Sequence, residues 1–165
     1  MYTHIVGLTA PASVELLHRD SLSAAANMKL GYVIIYVKSV PATLKFYQNA
    51  FKIPARFGGD DYAELALDGS TTLAFANEKF VEESIGANVF RKNSMENDTS
   101  AGAEISFLVD AEAGETVESS VEQAVQAGAT LVKEAMTKPW GQTVAYVKDC
   151  NGFLVEICTP VEPQA

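Results

Sequence analysis

The sequence contains few of the residues that most often carry catalysis or covalent cross-links. Its two histidines, His4 and His18, both lie within the first twenty residues. A serine–histidine–aspartate triad, a cysteine–histidine pair or a two-histidine iron site would need imidazoles from that terminal segment, which makes these chemistries improbable. Two cysteines, Cys150 and Cys158, are too few for a disulfide framework, and we expect both to be reduced thiols.

Long apolar runs and an excess of positive charge are also missing. No stretch approaches the roughly 18 apolar residues of a membrane span, and the start of the chain lacks a secretory signal pattern. The 12 Lys and Arg residues are outnumbered by 21 Asp and Glu residues, for a net charge of −9. Because an acidic surface repels phosphate backbones and anionic lipids, we expect a cytoplasmic protein with neither nucleic-acid nor membrane partners.

The length and composition of the chain fit one ordinary globular domain. The 165 residues are 48% apolar and 20% charged. Regular apolar periodicity begins at Met28, so residues 1–27 are interpreted as an N-terminal extension and residues 161–165 as a tail.

Two successive segments show the same order of predicted elements, strand–helix–strand–strand–strand. The first module covers residues 28–77, residues 78–102 form a partly helical linker, and the second module covers residues 103–160. A glycine turn, at Gly69 and at Gly152, precedes the last strand of each module. This internal repeat predicts an α+β fold. Two tandem βαβββ modules would form a curled mixed sheet around a shared cleft, with the helices outside.

Strand alternation predicts which side chains line that cleft. The candidate lining residues are Tyr32, Tyr36, Tyr62, Glu64, Phe75, Glu104, Ser106, Leu154 and Glu156. Trp140, in a Pro-Trp-Gly loop, is a candidate for stacking on a ligand, and the alternative is a packing anchor or a dimer contact. An aromatic cleft with a few polar groups is typical of small-molecule sites. The alternative is that these side chains fill the barrel or face a partner subunit.

Two stretches and the internal repeat, together covering residues 28–160, carry a resemblance to a known superfamily. YVIIYVKSVPATLKFYQNAF, residues 32–51, is similar to the opening strand and helix of the vicinal oxygen chelate superfamily, and KPWGQTVAYVKDCNGFLVEI, residues 138–157, is similar to its closing hairpin. The superfamily includes glyoxalase I, bleomycin-resistance proteins, fosfomycin-resistance enzymes and extradiol dioxygenases. This fold hosts unrelated activities, so the resemblance alone leaves the function open.

The resemblance implies metal-ligand positions on the first and last strands of each module. Glu156 matches the closing glutamate, whereas Tyr32 and Glu104 occupy the first-strand positions and Leu73 stands at the closing position of the first module. Only Glu156 keeps the ligand type, with Glu104 as a possible oxygen substitute. We therefore expect no transition-metal cofactor. A divalent ion such as Mg²⁺ or Mn²⁺ at Glu156 is the alternative.

The metal-free branch, which resembles bleomycin-resistance proteins, gives the leading functional prediction. It implies a homodimer that binds a small organic ligand, aromatic or cationic, in its cleft. The alternative is a glyoxalase-like lyase or isomerase that uses a divalent metal at Glu156. Glu156 and Glu104 are the catalytic candidates, because two carboxylates sharing one proton would raise a pKa into a useful range. A third possibility is an interaction module with a filled cavity.

Overall fold

The computed structural model describes residues 29–96 and 102–161, so the predicted extension, with His4 and His18, lies outside the described residues. The first module contains β1 (Tyr32–Val37), α1 (Val40–Phe51), β2 (Ala55–Gly58), β3 (Tyr62–Leu65) and β4 (Thr72–Asn77). Helix α2 (Glu78–Ile85) follows. The second module contains β5 (Glu104–Leu108), α3 (Val117–Gln126), β6 (Thr130–Thr137), β7 (Thr143–Lys148) and β8 (Leu154–Cys158).

Each module folds into its own four-stranded mixed sheet. The strand orders are β1-β4-β3-β2 and β5-β8-β7-β6. The first strand of each module pairs in parallel with the last, and the remaining neighbours are antiparallel. The predicted α+β class and the two tandem βαβββ modules are confirmed. Among the described residues the sheets are separate and open, and they do not close into one barrel.

Helix α1 begins and ends at residues suited to those positions. The Ser39 side chain accepts a hydrogen bond from the backbone N–H of Ala42, and Pro41 lies in the first turn, where its missing N–H costs nothing. Lys52 ends the helix in the left-handed conformation. The buried face of the helix consists of Val40, Thr43, Phe46, Tyr47 and Ala50.

The core lies on the helix side of both sheets. The Tyr47 ring centroid is 4.7 Å from that of Phe75 in the first sheet and 6.3 Å from that of Phe107 in the second. Helices α1 and α3 also pack against each other. The described residues from Gly31 onward form one compact unit, because a single apolar cluster draws side chains from both modules.

The other face of each sheet, which we call its open face, is not covered by these helices. Tyr32 and Ile34 on β1 are 56% and 44% exposed, and Leu108 on β5 is 63% exposed. The two faces that the sequence predicts to line a cleft therefore lie open to solvent in one chain.

Strand β6 continues as far as Thr137, because Met136 pairs with Val144 and Thr137 with Thr143. The loop that carries Trp140 is therefore short. Helix α2 begins at the first residue of the predicted linker, and the Asn77 side chain caps it by accepting from the backbone N–H of Lys79 at 2.9 Å.

Candidate functional site

The open face of the second sheet has a carboxylate at its centre. Glu156 on β8 lies between Ser106 on β5 and Tyr146 on β7 in the sheet register. Ser106 Oγ donates to Glu156 Oε1, and Tyr146 Oη donates to Oε2 at 2.7 Å. Cys158 Sγ lies 3.2 Å from Ser106 Oγ. Because side chains of paired residues project to the same face, the three strands hold both donors on one carboxylate.

These hydrogen bonds keep Glu156 ionised. Partial burial raises the pKa of Glu156, but the hydrogen bonds from Ser106 and Tyr146 stabilise the charged form and lower the pKa overall. The same bond to Glu156, together with burial, raises the pKa of Tyr146 to about 12. At neutral pH the group is a charged carboxylate held by neutral donors, which suits the recognition of a ligand better than proton transfer.

Glu104, the second predicted catalytic carboxylate, does not lie directly opposite Glu156 in the sheet. Ser106 lies directly opposite Glu156, whereas Glu104 pairs with Leu154 near the strand end and is exposed. The pKa of Glu156 is lowered by the hydrogen bonds from Ser106 and Tyr146. A proton shared between the two carboxylates, and catalysis by this pair, stay predictions.

The open face of the first sheet carries a second carboxylate–phenol pair. Tyr62 Oη donates to Glu64 Oε1 at 3.0 Å, both on β3. Burial and this hydrogen bond raise the pKa of Tyr62 to about 12. The ring of Phe57 lies 6.3 Å from that of Tyr62, and Tyr32 lies on the same face two strands away. The first sheet thus presents exposed aromatic surface beside a carboxylate.

Three other predicted lining residues have different surroundings. The prediction for Phe75 is wrong: its side chain is fully buried against Tyr47, because β4 turns Leu73 and Phe75 toward α1. Tyr36 is on the open face, but the ring of Phe90 covers it with an edge contact at 4.7 Å. Trp140 is half exposed in the β6–β7 turn, where its Nε1 donates to Gln142 Oε1 at 3.1 Å.

The sheet registers change which residue of the first module is equivalent to Glu156. Ile34 and Glu64 flank Ala74 in the first sheet, as Ser106 and Tyr146 flank Glu156 in the second. The position equivalent to Glu156 is therefore Ala74 and not Leu73, which faces the core. Tyr32 and Glu104 do correspond, since each starts its strand and pairs with the first residue of the closing strand.

The donor set around Glu156 does not fit a divalent transition metal. Its neighbours are a serine hydroxyl, a phenol and a thiol, and burial raises the pKa of that Cys158 thiol. Across residues 29–96 and 102–161, no three His, Cys, Asp or Glu side chains cluster in a way that would hold a metal ion. Each carboxylate oxygen of Glu156 already accepts one hydroxyl hydrogen bond, and neither hydroxyl nor phenol is a usual ligand of Zn²⁺ or Fe²⁺.

Sequence reasoning missed Tyr146 and Asp149. The hairpin around Gly152 sets the β7–β8 register, and counting back from that turn would have placed Tyr146 opposite Glu156. Asp149 is fully buried in the turn itself, where its Oδ1 accepts from the backbone N–H groups of Asn151 and Phe153, both at 2.8 Å. Tyr47 Oη donates to its Oδ2 at 3.1 Å, so Asp149 joins the second module to α1.

Comparison with known proteins agrees with this architecture. The family model described as a glyoxalase-like domain matches residues 30–162. A glyoxalase-related enzyme from Fulvimarina pelagi superposes with a TM-score of 0.68 at 21% identity, over 81% of this chain and 88% of that one. A glyoxalase/bleomycin resistance protein/dioxygenase family enzyme from Burkholderia phytofirmans PsJN superposes with a TM-score of 0.66 at 22% identity, over 82% of this chain and all of that one.

A third solved structure has the same fold. A glyoxalase/bleomycin resistance protein/dioxygenase from Nocardioides has a TM-score of 0.63 at 14% identity, over 92% of this chain and 96% of that one. No curated protein matches the sequence. In the part of the chain that the structure describes, no helix has the length and apolar character to cross a membrane. At these identities the superpositions show the shared fold, and the family model assigns the membership. The chain belongs to the glyoxalase-like domain family, within the vicinal oxygen chelate superfamily.

Proposed function

We propose that this protein binds a small planar aromatic cation between the open faces of two sheets. The observation that carries the proposal is the carboxylate–phenol pair on each face, Glu64 with Tyr62 and Glu156 with Tyr146. Phenol rings offer stacking surface and carboxylates attract positive charge, so together they favour a ligand that is both flat and cationic.

The site requires a second copy of the chain in this proposal. The helix faces of both sheets share one core, and the open faces are left exposed with apolar side chains at their surfaces, among them Tyr32, Ile34 and Leu108. A homodimer in which the first sheet of one copy covers the second sheet of the other would bury these side chains. It would also bring the two carboxylate–phenol pairs to opposite walls of one cleft.

The ligand preference is tested with two dyes of opposite charge. Proflavine is a planar aromatic cation, and 1-anilinonaphthalene-8-sulfonate is an aromatic anion of similar apolar area. We expect the protein to bind proflavine, with Glu156→Gln weakening the affinity about fivefold because one carboxylate charge is lost. Glu122→Gln is the matched control, since it removes an equal charge from the exposed side of α3. Equal binding of both dyes, or equal effects of the two variants, would refute the proposal.

The alternative of a metal-dependent lyase or isomerase makes a different prediction. It requires a stoichiometric divalent ion in purified protein and its loss in Glu156→Gln. Elemental analysis of the two proteins after dialysis separates the hypotheses, because the ligand-binding proposal predicts the same low metal content in both.

A further inference from the structure

A cavity of about 330 Å³ lies between the two modules, and of the residues named above on the open faces only Leu108 borders it. It is bounded by the C-terminal end of α1, the turn after β5 and one side of α3, and none of the ten candidate residues for the open-face site lines it. Its volume falls at the lower end of the roughly 300–1,000 Å³ typical of small-ligand pockets. The cavity is therefore a second place where this chain offers room for a molecule.

The walls of the cavity are apolar. Phe51 and Phe107 form the part of the wall that we call its base, with ring centroids 5.0 Å apart, and Ile53, Leu67 and Ile157 also line the cavity. Water in such a space finds few hydrogen-bond partners, so an apolar group displaces it favourably. An aromatic ring of about six heavy atoms fits beside these two phenylalanines.

The mouth of the cavity is polar and carries more negative than positive charge. Lys52 Nζ pairs with Glu115 Oε1 at 3.0 Å across it, and the Asp110 carboxylate lies at the same rim. Asp110 Oδ1 accepts from the backbone N–H groups of Glu112 and Ala113, both at 3.1 Å, which fixes the turn. The rim thus carries two carboxylates, Asp110 and Glu115, and one ammonium group, Lys52. A cationic ligand would balance the remaining negative charge.

The frame around the cavity is held by contacts between the modules. Gln123 Nε2 on α3 donates to the carbonyl oxygens of Asn49 at 2.9 Å and Ala50 at 3.1 Å, at the C-terminal end of α1. The negative end of the α1 dipole therefore points toward the mouth and adds to its preference for a cation. These bonds join residues of the chain itself, so the cavity has its shape before a ligand binds.

We propose that this cavity is a binding site for a small arylalkyl amine, with its ring against Phe51 and Phe107 and its ammonium group between Asp110 and Glu115. The site is separate from the open-face site and does not depend on the function proposed there. A two-carbon spacer, as in 2-phenylethylamine, matches a ligand with its ring at the base and its charge at the rim.

The test uses the ¹⁵N-labelled full chain titrated with 2-phenylethylammonium and, separately, with 3-phenylpropionate, its counterpart of opposite charge. We expect amide shift changes in the turn after β5 and at the end of α1, with the anion binding at least about tenfold more weakly. Asp110→Asn keeps the acceptor that the turn needs, and it should weaken amine binding at least about threefold. Asp60→Asn, in the exposed β2–β3 turn, removes an equal charge elsewhere and should leave binding unchanged.

A variant that fills the mouth of the cavity tests where the amine binds. Ala113 lines the cavity from an exposed turn, so Ala113→Trp puts an indole in the mouth without disturbing the core, and it should abolish the amine-induced shifts. Glu156→Gln, on the open face, should not change them. Shifts centred on Tyr146, equal binding of the anion, or amine binding that survives Ala113→Trp would each overturn the proposal.

Discussion

At the residue scale, two carboxylates in the second module respond to their surroundings in opposite directions. Asp149 is fully enclosed, and burial raises its pKa although the amides of Phe153 and Asn151 and the Tyr47 hydroxyl oppose the rise. Glu156 is only half buried, and hydrogen bonds from Ser106 and Tyr146 lower its pKa against the effect of burial. Stability measurements across pH distinguish the two, because a raised and a lowered pKa change stability with opposite signs.

Replacing Asp149 by asparagine should reveal the raised pKa. The folded chain holds this proton more tightly than the unfolded chain, so the contribution of Asp149 to stability is largest below its unfolded pKa. That contribution is lost as the pH rises through the folded value. We expect the free energy of unfolding of the wild type, relative to Asp149→Asn, to fall as the pH rises above the unfolded pKa of about 4 in urea titrations. A pH-independent difference would contradict this. Asp149→Ala leaves two amides without an acceptor, so it should be less stable than Asp149→Asn by about 2–3 kcal/mol at every pH.

Tyr146→Phe tests the hydrogen bond that lowers the pKa of Glu156. Losing the donor should raise the Glu156 pKa toward its ordinary value and cost about 1 kcal/mol at pH 7. Because a lowered pKa stabilises the fold above the unfolded value and ceases to do so as the pH falls, the deficit should shrink toward pH 3. A carboxyl ¹³C titration of Glu156 in both proteins measures the pKa directly, and an unchanged pKa would show that Tyr146 does not act on it.

At the element scale, the two repeat glycines occupy equivalent turns but differ in what surrounds them. Gly69 and Gly152 both have positive φ, at 108° and 82°. A Cβ on Gly152 would lie 2.5 Å from the carbonyl oxygen of Ser94, whereas a Cβ on Gly69 would meet nothing within 4 Å. The segment after α2 therefore packs directly on the β7–β8 turn, and only glycine permits that approach.

The pair gives a matched mutational test. Gly69→Ala should cost about 1 kcal/mol from backbone strain alone. Gly152→Ala should cost at least about 2 kcal/mol, since it also pushes the Ser94 backbone away. Urea denaturation of both variants provides the comparison, and equal losses would show that the contact with Ser94 contributes nothing.

Periodicity predicted the elements better than it predicted their pairing. The alternating strands were recognisable because local spacing reports which face of a strand is apolar. Phe75 was misplaced because β4 is buried on both faces, which leaves no polar side to set the alternation. The mistaken match of Glu156 with Leu73, where the register gives Ala74, arose in the same strand. Tyr146 was missed because its partner Glu156 is defined by hairpin register rather than by spacing along one strand.

At the scale of the whole molecule, the relation between the modules was not predictable from one sequence. An apolar strand face has the same pattern whether it meets another sheet of its own chain or of a second copy. The structure places the helix sides together through Tyr47 and its neighbours Phe75 and Phe107, so the open faces point to solvent. Because of this arrangement, the cleft that the sequence predicted within one chain is proposed to form between two copies.

The most direct test of the two-copy cleft is a mixing experiment with charge-reversed variants. Glu64→Lys damages the first-sheet wall and Glu156→Lys the second-sheet wall, so neither homodimer keeps an intact cleft and neither should bind proflavine. After random exchange of subunits in an equal mixture, half of the dimers contain one subunit of each variant. In such a mixed dimer the two damaged walls face each other in one cleft, and the two undamaged walls form the other cleft. We predict recovery of about a quarter of the wild-type binding capacity. No recovery, although subunit exchange is verified by native mass spectrometry, would contradict a cleft shared between two copies.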